Sequence, residues 1–207
     1  MLKDDVYSAI KTRIITQDMQ PGSRINEKDL MAQYNIGKTP LREVFFRMQR
    51  EGLIRRFPRS GTIVSPIDFT ELRESAEIRL ALEGLVGELA CRHITAEQLE
   101  RICRFTDLLD VQIQKGLRDE YIITESGLHA LLYESAHNGK LVQTITEQQS
   151  LFARMWFSVK RTDLDFAGQV NDWRGICEAL QKRDAERVAT LNKEHFSTFY
   201  NSFKTLL

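Results

Sequence analysis

The sequence predicts a mainly α fold in two parts: a small N-terminal module of three helices and a strand pair, then an all-α bundle of about six helices. Three observations predict it. Apolar residues recur at helical spacing along most of the chain, as in Leu41, Val44, Phe45 and Met48. A strand pattern with a central turn is confined to the stretch from Leu53 to Val64. The charge also divides. Residues 1–66 carry 12 Lys and Arg against 7 Asp and Glu, a balance of +5, and the rest carries 17 against 22, or −5, so the 207 residues sum to zero. A basic first part beside an acidic second one points to a polyanionic partner for the first part alone.

Residues 4–17 place Val6, Ala9, Ile10, Ile14 and Ile15 on one side of an amphipathic helix that opens with acidic residues. Gln20-Pro21-Gly22-Ser23 is a turn. A helix from Glu27 to Tyr34 follows, then a tight turn at Asn35-Ile36-Gly37. The next helix opens at Lys38-Thr39-Pro40, where proline suits the first turn, and ends before Gly52. Its apolar stripe is Leu41, Val44, Phe45 and Met48, and its other side carries Lys38, Thr39, Arg42, Glu43, Arg47 and Arg50. A short helix, a turn and a second helix with a basic, polar start form a helix-turn-helix, whose second helix fits a DNA major groove. Leu53–Phe57 and Thr62–Val64 then read as a two-stranded wing around Pro58-Arg59-Ser60-Gly61. Arg59 at its tip, beside a glycine, either reaches phosphate or the minor groove or is a solvated turn residue.

After the join at Pro66-Ile67-Asp68 the strand signal ends, dividing the chain into domains 1–66 and 67–207. Six helices are expected at about 69–92, 95–117, 119–137, 139–160, 166–182 and 184–206. Breaks fall at His93-Ile94-Thr95, Lys115-Gly116, Asn138-Gly139, Asp163–Gly168 and Arg183-Asp184. Thr95 with Gln98 forms a capping box, and Asn138-Gly139 suits a helix end. Cys91, Cys103 and Cys177 are odd in number and lack zinc-finger spacing, which fits a reduced, cytoplasmic setting. Neither a signal peptide nor an apolar run long enough to cross a membrane is present.

Within the second part, Glu125 and His129 lie four residues apart and share a helix face with Ile122, Leu132, Tyr133 and Ala136. His195 lies in line with Val188, Leu191 and Phe199. Polar groups on such inward stripes need partners, because unpaired burial costs a few kcal/mol. Trp173 faces inward with Val170, Cys177 and Leu180. Arg79 and Glu83 are spaced for an i, i+4 ion pair, although an inward arginine is also a clamp for a carboxylate ligand. His93 and His137, at helix ends, read as solvated or capping. One alternative is a metal-dependent enzyme with Glu125 as base and His129 and His195 as ligands. Against it, the chain has no HExxH motif, no paired di-metal Glu-x-x-His motif and no nucleophile with an assignable base.

These residues carry a resemblance. The P-G-x-x-I turn, the G-K-T-P-L-R-E-V helix start, the following E-G-L-I and the S-G-T-x-V wing resemble the GntR family of bacterial transcription regulators. Glu77-Ile78-Arg79-Leu80-Ala81-Leu82-Glu83, the Asn138 turn and the last helix near His195 resemble its FCD effector domain, and six helices suggest the VanR-like branch. The resemblance implies a homodimer on a palindromic double-stranded operator, probed by Lys28, Lys38, Thr39, Arg42 and the wing residues Arg59 and Gly61. Arg42 stands at the family's recognition-helix arginine, and arginine paired to guanine is the commonest specific base contact. Gly37 stands where the family usually has serine, which removes a hydroxyl. The resemblance also implies a small organic-acid or sugar-acid effector, with Arg79, Glu125, His129, Trp173 and His195 as its pocket. Many FCD domains hold a metal through an Asp and three His. Here Glu125, His129 and His195 match, and Trp173 replaces the middle His. Three arrangements stay open: one divalent zinc, nickel or manganese on three ligands, a metal-free ligand pocket, or a closed hydrogen-bonded core.

Overall fold

The computed structural model describes residues 2–158 and 166–204. It forms two compact units. The first runs to Asp68 and also takes the second half of a later helix, from Ser150 on; the second holds the remaining helices.

The first unit contains α1 (Lys3–Ile15), β1 (Arg24–Ile25), α2 (Glu27–Tyr34), α3 (Lys38–Arg50), β2 (Ile54–Phe57) and β3 (Gly61–Val64). Its core is the predicted stripe of α3, Leu41, Val44, Phe45 and Met48, packed with Val6, Ile10 and Ile14 of α1 and Leu30 of α2. Asn26 caps α2 by accepting from the Lys28 backbone N–H at 3.0 Å, and Asn35 ends it in the left-handed region at φ 47°. That single residue lets the chain reverse into α3. α1 stops two residues short of the expected end because Gln17 is left-handed, at φ 62°.

The wing differs from the sequence expectation. It is a three-stranded antiparallel sheet in the order β1-β3-β2, with Arg24 opposite Ile63 and Phe57 opposite Gly61. A two-residue strand is too short to show a period of two, so β1 leaves no signal of its own.

The second unit is helical throughout its described residues: α4 (Phe69–His93), α5 (Ala96–Gln114), α6 (Arg118–Ser135), α7 from Gly139, α8 (Phe166–Gln181) and α9 (Ala185–Lys204). α7 extends to Ser158, and its second half belongs to the first unit. Helix α4 packs on α9 and α6, and α5 on α6 and α8, with α8 also against α9. At Gly87 of α4, an added Cβ would sit 2.9 Å from the Ala189 Cα and the Val188 carbonyl of α9, so the two backbones meet where no side chain fits. The Thr95 capping box forms in both directions. At the α6–α7 corner the roles shift by one residue from expectation. His137 takes the left-handed position at φ 50°, and Asn138 caps α7 by accepting from the Leu141 N–H at 3.2 Å. The expected helix ends at 160 and 206, and the break over 163–165, lie outside the described residues. None of the described helices is long and apolar enough to cross a membrane.

Candidate functional site

Two places collect the residues singled out in the sequence. The first is the outer side of α3 with the wing. Burying Leu41, Val44, Phe45 and Met48 forces Lys38, Thr39, Arg42 and Glu43 outward, since residues at these offsets occupy the opposite arc of a helix. Glu43 is held by Lys3 at 2.7 Å, and Glu51 by Tyr7, Lys11 and Arg47. Both acids that might have neutralised Arg42 are therefore engaged elsewhere, and Arg42 has no ion-pair partner among the described residues. Arg47, by contrast, lies over the Tyr7 ring at 3.6 Å, so it belongs to the support of α3. Gly37 begins α3 with no side-chain cap, leaving the first-turn N–H groups open. Lys28 on α2 is exposed. At the wing tip Arg59 has φ 65° and Gly61 φ 96°, a reversal that presents Arg59 to solvent. Arg56, Arg59, Gly61 and Glu27 border an open groove of about 490 Å³ beside the wing.

The second is a buried polar cluster inside the helical unit. Glu125 and His129 come from α6, Trp173 from α8 and His195 from α9, and all four are buried. The His129 Nε2 lies 2.7 Å from Glu125 Oε1, and the His195 Nε2 lies 3.4 Å from the same oxygen. On its other side the His195 Nδ1 faces Asp172 Oδ2 at 3.3 Å. The Trp173 indole stands edge-on to both imidazoles, with ring centroids 5.0 and 5.3 Å away. Burial alone would raise the Glu125 carboxyl, but the two imidazoles outweigh it and hold the group well below the usual carboxylate range. For His195 burial works against the charged ring, yet the bonds to Asp172 and Glu125 win and raise it to about 9. For His129 burial prevails over Glu125, and the ring is pushed toward the neutral form.

One carboxylate oxygen and two imidazole nitrogens within 4.8 Å of one another make a group able to hold a divalent ion. The donor set fits on one side. Metal-ligating histidines turn their second nitrogen to an acceptor, and His195 has Asp172 in that place. His129 Nδ1 has no hydrogen-bond partner among the described residues, and neither has Trp173 Nε1.

Arg79 lies beside this cluster in a network of its own. Its Nε donates to Glu83 Oε1 at 2.6 Å and its Nη2 to the Tyr133 hydroxyl at 2.9 Å, while Tyr133 donates to Glu83 at 2.8 Å. Asn192 Nδ2 donates to Glu83 Oε2 at 2.6 Å, and the guanidinium lies 4.1 Å from the Phe196 ring centroid. Of the two uses open to Arg79, the structure contains the ion pair. Asp172 and Asn192 are the members that sequence reasoning missed. Asn192, three residues before His195, shares its face and was accessible to the same spacing argument. Asp172 is half-exposed beside Trp173, and nothing in its local pattern marks it. Leu191, expected on the inward stripe, is only half-buried; Asn192 and Phe196 take that place.

A winged helix-turn-helix with an open cationic face, joined to a helical module with a buried polar cluster, defines the class of two-part transcription regulators. Residues 2–64 match the gntR family of bacterial regulatory proteins, and residues 74–198 match the FCD domain. The chain belongs to the GntR family and carries an FCD domain; it is a transcription regulator, not an enzyme. It is 23% identical to the HTH-type transcriptional repressor RspR of Escherichia coli over 99% of this chain and 90% of that protein. The uncharacterized HTH-type transcriptional regulator YdhC of Bacillus subtilis is 25% identical over 94% of this chain and 86% of its own length. Among solved structures, E. coli McbR/YncC shares the fold with a TM-score of 0.82 at 18% identity, covering 100% of this chain and 99% of that one.

Proposed function

We propose that the chain is a cytoplasmic, dimeric repressor of the VanR-like branch that leaves its palindromic operator when a small anionic metabolite binds the helical domain. The observation that carries the DNA side is Arg42: exposed near the start of α3 and without an ion-pair partner among the described residues. A free guanidinium at that place suits a guanine O6/N7 pair. Lys38, Thr39 and the first-turn N–H groups of α3 meet phosphate and base edges, and Lys28, Arg59 and Gly61 extend the contact along the backbone. Residues 1–66 act as the DNA-binding head, and 67–207 as the effector and dimerisation domain.

Glu125, His129 and His195 would hold one divalent ion, zinc, nickel or manganese. Bound there, the ion would supply a Lewis-acidic contact for a carboxylate of an organic or sugar acid. Asp172 orients His195, Trp173 closes one wall, and the Arg79 network holds α4 against α6 and α9. A ligand in this pocket relieves repression by binding one arrangement of the dimer more tightly than another. The repressor sign is supported by RspR of Escherichia coli, a transcriptional repressor that is similar over nearly the whole chain.

The test is a binding titration on DNA upstream of the chain's own gene. The wild type is expected to bind specifically and R42A to lose that binding while keeping its helical content. Equal affinity of the two proteins for operator and for unrelated DNA would overturn the proposal.

A further inference from the structure

The three cysteines are not equivalent, and two of them are brought together by the fold. Cys103 lies on α5 and Cys177 on α8, helices that pack on each other. The contacts at this seam are reciprocal. Gln181 of α8 donates from Nε2 to Cys103 Sγ at 3.7 Å, and Thr106 of α5 lies 3.4 Å from Cys177 Sγ through its hydroxyl oxygen. Cys103 therefore faces α8 one turn along from where Cys177 faces α5, on the same seam. Their exposures differ: Cys103 is half-buried, whereas Cys177 is buried. Nothing in the regulator's DNA surface or buried cluster uses this pair.

We infer that Cys103 and Cys177 form an oxidisable dithiol that closes to a disulfide between α5 and α8 when the protein meets a hydroperoxide. The half-buried Cys103 is the sulfur a small oxidant reaches. Its thiolate attacks one oxygen of the hydroperoxide, forming an S–O bond and breaking the O–O bond, and the other oxygen leaves as water or an alcohol. The sulfur of Cys177 then attacks the Cys103 sulfenic acid. An S–S bond forms, the S–O bond breaks, and the hydroxyl leaves as water with the Cys177 proton. Two thiols are oxidised by two electrons and one peroxide is reduced. A dithiol reductant reverses the step. Burial, with Cys103 adding to it, pushes the Cys177 thiol up to about 12. It is thus poorly suited to meet an oxidant first and waits as the resolving group.

The crosslink has a defined address. Cys177 is four residues from Trp173 on the same helical face, and Asp172, which faces His195, precedes Trp173. A bond at Cys177 ties the helix that carries both residues to α5. The covalent step stands on the seam alone, independent of the proposed effector or metal.

The experiment uses the full chain, reduced, treated with a chelator and then exposed to hydrogen peroxide, with free thiols counted in denaturant. The wild type is expected to fall from three free thiols to one, to lose two hydrogens in intact mass and to yield a Cys103–Cys177 linked peptide. C91S is expected to fall from two to none with the same linked peptide. C103S is expected to keep both thiols and stay uncrosslinked, and C177S to form no linked peptide. Should C177S not fold, C103S decides. In the oxidised wild type, amide exchange in α5 and α8 is expected to slow. Three thiols surviving peroxide, a link through Cys91, a link between two chains, or terminal oxidation of Cys103 without a link would each overturn the inference.

Discussion

Glu83 shows what a single residue does in this molecule. Fully buried, its carboxylate takes bonds from Arg79, Tyr133 and Asn192, residues on three different helices. Removing one partner of a buried ion pair strands the other charge, at a cost of about 3–5 kcal/mol. E83A is therefore expected to lose that much stability in urea unfolding, whereas removal of the exposed Arg92–Glu88 pair changes it by at most about 1 kcal/mol. Two tyrosines carry a second residue-scale consequence. Burial first, then the carboxylate of Glu51, raises Tyr7, and burial raises Tyr133 well above its ordinary value. A group whose folded value exceeds the unfolded one, about 10 for tyrosine, stabilises the fold fully below pH 10 and progressively less as pH climbs toward the folded value. In an ultraviolet pH titration of the native protein, Tyr7 and Tyr133 are expected to ionise only as the fold opens; five tyrosines ionising together near pH 10 would contradict this.

The helices themselves were legible in the sequence because each buries one stripe, and a stripe writes its period into the residues. α2, α3 and the six later helices fall within a few residues of where periodicity and caps put them. β1 was not legible, since two residues carry no period and their strand character comes from pairing with Ile63 and Thr62. The candidate cluster was legible in part for the same reason. Glu125 and His129 share one helix, so spacing revealed them as a pair; Asp172 faces His195 across two helices, a relation no local pattern records. The α4–α9 contact belongs to this scale as well. With backbone atoms of α9 2.9 Å from the position of a Gly87 Cβ, G87A must push the helices apart, and overpacking of this kind costs about 1–3 kcal/mol. A lower urea midpoint is expected for G87A. For G127A, with nothing within 4 Å of the added Cβ, the same assay is expected to show no loss.

At the scale of the whole molecule, a net charge of zero conceals a chain of two signs, +5 and −5. If the basic head meets DNA through phosphates, operator affinity is expected to fall linearly in a plot of log K against log salt, because each contacted phosphate releases counterions. R59A is expected to weaken operator and unrelated DNA alike and to reduce the slope by about 1. R42A is expected to weaken the operator selectively, by about 1–3 kcal/mol. A slope unchanged in R59A would remove the wing tip from the interface. Finally, the compact unit that contains the wing also holds the second half of α7, with Arg154 Nη1 donating to the Ser65 carbonyl at 2.6 Å and Gln17 Nε2 to the Arg154 carbonyl at 3.1 Å. The ribosome makes Ser65 some ninety residues before it makes Arg154, a wait of roughly 4–18 s at about 5–20 residues per second. A nascent head thus emerges unfinished and is completed only after most of the helical domain has been synthesised, so a gene truncated after codon 68 encodes less than one folding unit.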